Sequence, residues 1–193
     1  MEAIYQWLHR ALWIAFCLYW LVAASRAKPV LRRESVLSRA SHMVPLGLAV
    51  WLMVSRGLPG TWLNQRIVPW SPIQFWIGSV LLVVGLSFAV VARRHLGGNW
   101  SGTVTLKQEH TLIRSGPYRV TRHPIYTGLL LAIAGSGVAH GEWRDVLAVA
   151  LIAASFKWKL RIEERFLAEQ FPREYDRYRA EVPALIPGWR RRS

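Results

Sequence analysis

The chain of 193 residues is 52% apolar, yet it carries 25 lysines and arginines against 11 acids, a formal net charge of +14. The length suits one domain, and this mixture excludes an ordinary soluble one; it is the composition of a membrane protein with basic cytoplasmic loops. The basic residues stand between apolar runs with no nucleic-acid motif, so nucleic acid is not an expected partner, and the single cysteine, Cys17, excludes an intramolecular disulfide and argues against a cysteine-based metal site.

Residues 11–24 form the first apolar run, which approaches the ~20 residues of a bilayer span when extended back to Ile4. His9 and Arg10 then lie inside it and must snorkel or face protein. A cleaved signal peptide ending near Ala-Ala-Ser is the competing reading, weakened by Glu2 in a flank that should be basic. Residues 26–39, with five basic side chains and one acid, belong on the cytoplasmic side. A second run, residues 43–54, contains Pro45 and is closed by Arg56, Gly57 and Pro59. Residues 57–72 hold one basic residue, Arg66, as a non-cytoplasmic connection should.

Residues 73–92 are the clearest span, 20 residues without a charge. Residues 93–123 carry six basic residues and one acid and return to the cytoplasmic side. Residues 125–139 form a fourth span rich in small residues (Gly128, Ala132, Gly135, Ser136, Gly137), which permits close helix packing. After a polar turn at 140–145, the run 146–156 is too short to stand alone in lipid; it must lean on the fourth span as a hairpin or continue into the polar helix that follows. Trp62, Trp70, Trp76, Trp143 and Trp158 sit at the ends of apolar runs, as an interfacial belt requires. The fold class is therefore all-α, a single polytopic membrane domain over residues 1–193 with about five transmembrane helices, the N-terminus outside and the C-terminus cytoplasmic. Residues 157–182 read as a charged amphipathic helix or helix pair, with Pro172 opening the second. The stretch 182–188 reads as a rigid extended tail, and the arginines after it meet head groups.

The residues with chemical potential gather at one edge of this plan. Residues 116–128, GPYRVTRHPIYTG, place Arg122, His123 and Tyr126 between a basic loop and an apolar run. Pro124 suits the first turn of a helix, so the polar residues before it stand at a helix N-terminus, a natural place for an anion or polar ligand group. Lys159 and Glu163, four apart, share a helix face one turn beyond the last span. They form either a surface ion pair of a few tenths of a kcal/mol or the far wall of a pocket at the membrane edge.

Gly116-Pro-Tyr-Arg, Arg122-His-Pro-Ile-Tyr-Thr-Gly, Glu163-Glu164 with Phe171 and Tyr175-x-x-Tyr178, then Val182-Pro and Ile186-Pro, resemble the isoprenylcysteine carboxyl methyltransferase family of integral-membrane enzymes. Gly97-Gly-Asn-Trp-Ser and His110-Thr-Leu fit as well. The resemblance covers residues 75–187 and is strongest from Arg93 onward; the first two spans match only in hydrophobicity, so residues 73–193 are the expected site-forming part. It implies a helical membrane fold whose C-terminal half encloses S-adenosylmethionine at the cytosolic face. Carried over by position, the cofactor contacts fall on His110, Thr111, Leu112, Ile113, Tyr118, His123, Pro124, Ile125 and Tyr126, with the cofactor-contacting glutamate at Glu163 and Glu164 the one-residue alternative. The family's substrate-facing arginine falls on Lys159, which cannot grip a carboxylate with a planar fork. Either Lys159 acts as a point charge, Arg161 or Arg122 takes over, or the acceptor is not a carboxylate. A further polar position of the family falls near Thr105, where the match is poor.

The resemblance implies a catalytic set of Lys159, Glu163, Glu164 and Arg122, no metal, and methyl transfer from S-adenosylmethionine to a lipophilic or lipidated acceptor, most readily a prenylcysteine carboxylate. Phospholipid and small-thiol acceptors stay open, and for an amine or thiol, Glu164 or His123 would take the proton. The rivals are a nicotinamide-dependent membrane reductase and a non-catalytic scaffold whose basic loops hold acidic lipids.

Overall fold

The computed structural model describes residues 2–25, 30–33, 36–55, 60–97, 105–107 and 112–187. Among the described residues six α-helices follow in chain order: α1 (Glu2–Ala24), α2 (Val36–Val54), α3 (Pro72–Leu96), α4 (Pro124–His140), α5 (Trp143–Gln170) and α6 (Pro172–Glu181). Two short strands, β1 (Val30–Arg33) and β2 (Thr105–Lys107), pair antiparallel and tie the segment after α1 to the segment after α3. Among the described residues this pairing and an isolated bridge between Arg66 and Glu142 are the additions to the all-α expectation; runs of three or four residues are too short a pattern to announce a strand.

Windows at Trp7–Ala24, Leu37–Val54 and Pro72–Leu96 are long and apolar enough to cross a membrane, and α4 is a shorter apolar helix. The helix α2 starts at Val36, one to two turns before its apolar run, and carries Pro45 inside it. The helix α5 resolves the alternatives left by the run 146–156: it packs back on α4 and also continues without a break into the polar segment. Its 28 residues measure about 42 Å at ~1.5 Å per residue, longer than a hydrocarbon core of ~30 Å. Its second half, from Lys157 onward, is the polar one and carries Glu163.

The tightest packing is between α3 and α4, which run antiparallel with glycines facing glycines. A Cβ built on Gly85 would lie 2.4 Å from the Ala132 nitrogen and 2.5 Å from the Gly128 oxygen, and one on Gly78 would lie 2.4 Å from the Gly135 oxygen. Without side chains between them the two backbones touch, which is how helices gain dispersion energy where lipid supplies no hydrophobic drive. Gly141, at φ 73, ends α4 in the left-handed conformation and turns the chain into α5. The Glu142 and Asp145 side chains then form a reciprocal capping box at the α5 N-terminus.

The N-terminal helices dock on this pair through polar contacts. His9 faces protein, its Nε2 2.9 Å from Ser79 Oγ on α3, and Trp13 Nε1 donates to Ser136 Oγ on α4 at 3.1 Å. Arg10 stays exposed and lies over the Trp7 ring. The buried Arg93 of α3 donates to the Ala23 carbonyl at 2.6 Å, closing the C-terminal end of α1. Ser155 of α5 donates to the His42 carbonyl of α2 at 2.6 Å. Each such interhelical hydrogen bond in a membrane contributes on the order of 0.6 kcal/mol.

Candidate functional site

Three segments distant in sequence meet beside the C-terminal end of α3: residues 121–127 entering α4, residues 156–164 of α5, and residues 182–185 after α6. Pro124 occupies the first turn of α4, as its lack of an N–H allows. His123 is the N-cap residue but makes no side-chain cap; its imidazole is turned to α5 instead.

That imidazole lies between two carboxylates. Its Nε2 is 2.9 Å from Glu164 Oε1, and its Nδ1 is 3.8 Å from Glu163 Oε2. Arg122 donates to the same Glu164 oxygen from Nε at 3.0 Å and from Nη2 at 2.7 Å, so three donors converge on Oε1. Its Nη1 donates to the carbonyls of Arg179 at 3.1 Å and Val182 at 2.5 Å. The Arg122 side chain is 9% exposed and the Glu164 side chain 20%, and charges this sequestered require such pairing. Burial alone would raise the Glu164 carboxyl, but the hydrogen bonds and positive charges of His123 and Arg122 outweigh it and hold the group down at about 2.

Glu163 faces differently. Its Oε1 accepts from the Tyr126 hydroxyl at 2.6 Å. The Tyr126 ring meets Phe156 edge-on at 4.9 Å and carries the Lys159 ammonium 5.6 Å from its centroid. Lys159, Glu163 and Tyr126 therefore line one polar corner, and Glu164, Arg122 and His123 form a second, more saturated cluster beside it.

Of the sequence-predicted residues, the structure brings together Lys159, Glu163, Glu164, Arg122, His123 and Tyr126, with Pro124 and Ile125 buried in the first turn of α4. Tyr118 is buried beside Ala92 and Ile125, with Ile113 packed on the same cluster. Burial pushes its phenol up, and the Glu163 carboxylate pushes the same way. Leu112 packs instead against Tyr175, Tyr178 and Val182. His110 and Thr111 lie outside the described residues. Thr105 falls in β2, and Arg161 is exposed on α5.

Sequence reasoning missed the part played by the tail. The carbonyl of Pro183 accepts from the Arg122 amide at 2.9 Å, and that of Ala184 from the His123 amide at 3.1 Å and from the Thr121 hydroxyl at 2.6 Å. The carbonyl of Leu185 accepts from the Thr127 hydroxyl at 2.6 Å. The tail thus straps the loop that holds Arg122 and His123, and Tyr178 adds a bond from its hydroxyl to the Tyr118 carbonyl at 2.6 Å. The available signal was Pro183, Pro187 and the hydroxyls of Thr121 and Thr127 flanking the histidine.

The carboxylate of Glu163 and the ammonium of Lys159 thus set opposite charges around the Tyr126 side chain in the first turn of α4. A family model described as phospholipid methyltransferase matches residues 73–174, just over half of the chain. A relative in Cupriavidus metallidurans, named cobalt-zinc-cadmium resistance protein CzcN, is 38% identical over 117 residues, 58% of this chain and 51% of that protein. The protein-S-isoprenylcysteine O-methyltransferase of Saccharomyces cerevisiae is 30% identical over 114 residues, 58% of this chain and 48% of that protein. The chain thus spans about half the length of these relatives. Among solved structures, the eukaryotic intramembrane Ras methyltransferase, titled isoprenylcysteine carboxyl methyltransferase, superposes with a TM-score of 0.51 at 22% identity, over 80% of this chain and 53% of that one. That likeness establishes the helical membrane fold.

Proposed function

The chain belongs to the phospholipid methyltransferase family, and from that premise we propose that it transfers a methyl group from S-adenosylmethionine to the carboxylate of a lipophilic acceptor of the prenylcysteine type. The observation that carries the reading is the division of labour between adjacent carboxylates. Glu164 is saturated by three donors on one oxygen, whereas Glu163 takes one hydroxyl and turns its other oxygen toward the histidine.

The residues fit the cofactor. It presents an ammonium and a sulfonium, which Glu163 would hold, and a carboxylate, which suits the α4 N-terminus. Ile113, Tyr118 and Ile125 supply an apolar wall close by. When bound, S-adenosylmethionine supplies an electrophilic methyl group, and its transfer to a carboxylate cancels charge. A buried, water-poor corner that only aligns the partners is therefore sufficient. Lys159, on the Tyr126 ring at the membrane edge, would hold the acceptor carboxylate as a point charge. Arg122 is already committed to Glu164 and two carbonyls, which makes it a positioning residue in this reading. The acceptor reaches the site laterally from lipid, and the cofactor arrives from the cytosol.

A second reading, favoured by the family model's description, is methylation of a phospholipid amine. The amine must then lose a proton. Glu164, held at about 2, is too weak a base for that step, which leaves His123.

The test is incubation of the full chain in nanodiscs with methyl-labelled S-adenosylmethionine and a panel of prenylated thiols, phospholipids and small thiols, with identification of the labelled product. A base-labile ester on a prenylcysteine is expected; label on a phospholipid amine selects the second reading, and no labelled product with any acceptor refutes both.

A further inference from the structure

At the end of the helices away from Glu163, a cavity of ≈ 190 Å³ opens between α1, the N-terminus of α3 and the turn from α4 to α5. His9 and His140 both line it, and nothing in the methyl-transfer reading uses either.

The hydrogen-bond partners fix which nitrogens are available. Ser79 Oγ donates to the Phe75 carbonyl at 2.9 Å, so its contact with His9 Nε2 at 2.9 Å must have the imidazole as donor. His9 Nδ1 is then a lone pair. It is buried, in a residue only 7% exposed, and has no hydrogen-bond partner. A buried acceptor left unpaired costs free energy and calls for a partner that the protein does not itself supply. Across the cavity, His140 Nδ1 lies 3.2 Å from Asp145 Oδ1, and the other Asp145 oxygen accepts the Glu142 amide at 3.2 Å. The carboxylate, 1% exposed, accepts only, so His140 Nδ1 donates and its Nε2 carries the second lone pair.

We propose that His9 and His140 bind a divalent transition-metal ion between them. Each imidazole has its other nitrogen anchored, one by a serine and one by a buried carboxylate, which is the arrangement that orients histidine ligands and raises their basicity. The ring centroids are 6.4 Å apart. Metal–nitrogen bonds of ~2.1 Å at each ring place bridged centroids about 5.3 Å apart at a tetrahedral angle and about 6.5 Å apart at a straight one, so a tetrahedral ion draws the two rings together by about 1 Å. No group of three or more histidine, cysteine and acidic side chains gathers among the described residues. The ion therefore keeps water in its remaining positions, for which the cavity has room.

The arginines on the cavity wall do not oppose this. Arg144 is 2.6 Å from Glu142 and also donates to the Ser55 carbonyl, and Arg66 donates to Gln74 Oε1 and the Val68 carbonyl. Glu142 neutralises Arg144 on the wall, and the buried Asp145 stands behind His140; imidazole nitrogen selects borderline ions such as zinc, cobalt and nickel.

The test uses the full, tag-free chain in detergent, titrated with Zn²⁺ by calorimetry and with Co²⁺ by visible absorption. One chelator-reversible ion per chain is expected. His140→Gln, at a half-exposed position, should lower affinity at least tenfold with an unchanged melting temperature in chelator. His9→Gln should lower affinity likewise, with a lower melting temperature because the bond to Ser79 is lost as well, and Asp145→Asn should cost ~10–100-fold as the loss of a ligand's anchor. His123→Gln, at the other end of the helices, should leave the titration as it is. Absence of saturable binding up to millimolar Zn²⁺, or binding that survives His140→Gln undiminished, overturns the proposal.

Discussion

Replacing Gly128 by alanine tests whether the contact between α3 and α4 sets the geometry of the site. The new methyl group would stand 2.5 Å from the Gly85 oxygen and 2.7 Å from the Ala89 nitrogen, against ordinary contact beginning at 3.4 Å. Both obstacles are backbone and cannot swing aside, so the helices must part by about 1 Å. Overpacking of this kind costs about 1–3 kcal/mol, which lowers the melting temperature of a chain this size by roughly 3–10 °C. Tyr126 is half a turn from Gly128 and His123 precedes the same helix, so both shift relative to Glu163 and Glu164 on α5. A misplacement near 1 Å lowers the rate of a positioned reaction by about 100-fold. The assay is thermal unfolding in detergent by tryptophan fluorescence, paired with methyl transfer. Gly47→Ala on α2, where nothing lies within 4 Å, is the control; it should be neutral or stabilise by up to about 1 kcal/mol. A Gly128→Ala chain that melts and turns over with the wild type would refute the claim that backbone contact at this point positions the site.

The two adjacent carboxylates should separate experimentally. Glu163→Gln should abolish S-adenosylmethionine binding by calorimetry while the melting temperature moves little, and Glu164→Gln should lower the melting temperature, because Arg122 then loses its carboxylate. The depressed Glu164 group makes stability acid-sensitive: its contribution is complete above the ordinary carboxyl value near 4.5 and is lost as pH falls toward about 2. The span corresponds to about 3 kcal/mol at most, and about 1–2 kcal/mol after allowing for its contact with solvent. Melting curves across that window should show the loss in the wild type and a flatter response in Glu164→Gln. Lys159→Arg should lower KM for a prenylcysteine carboxylate and leave cofactor affinity unchanged, because the guanidinium fork grips a carboxylate in two places; a KM that does not move places Lys159 away from the acceptor.

What the sequence disclosed follows from what repeats along it. The uncharged residues 73–92 and the small residues of 125–139 announced α3 and α4, because span length and residue size are properties of single positions. Lys159 and Glu163 were legible as a pair through helical spacing, and Pro124 as a helix start through its missing N–H. The facing of Gly78 on Gly135 and of Gly85 on Gly128 was not, because Gly78 and Gly85 look like neutral members of an apolar run until the partner helix is in place. Length alone likewise left the run 146–156 with two readings, and only the contact with α4 shows that both hold at once.

The assignment of roles to Glu163 and Glu164 rests on geometry that spacing cannot carry. Adjacent residues on a helix point about 100° apart, so one register places either glutamate toward the histidine with equal ease. The decision comes from Arg122, whose amide and Nη1 are held by carbonyls of residues 179–183. That strap aims the guanidinium at Glu164 and thereby turns Glu163 toward Tyr126 and Lys159. The deciding atoms are main-chain oxygens of the last turn of α6 and the tail after it, and a carbonyl has the same chemistry whatever side chain it belongs to. Pro183 marks the tail as stiff, but which amides it will meet is a property of the folded chain, and so is the identity of the carboxylate left facing Tyr126.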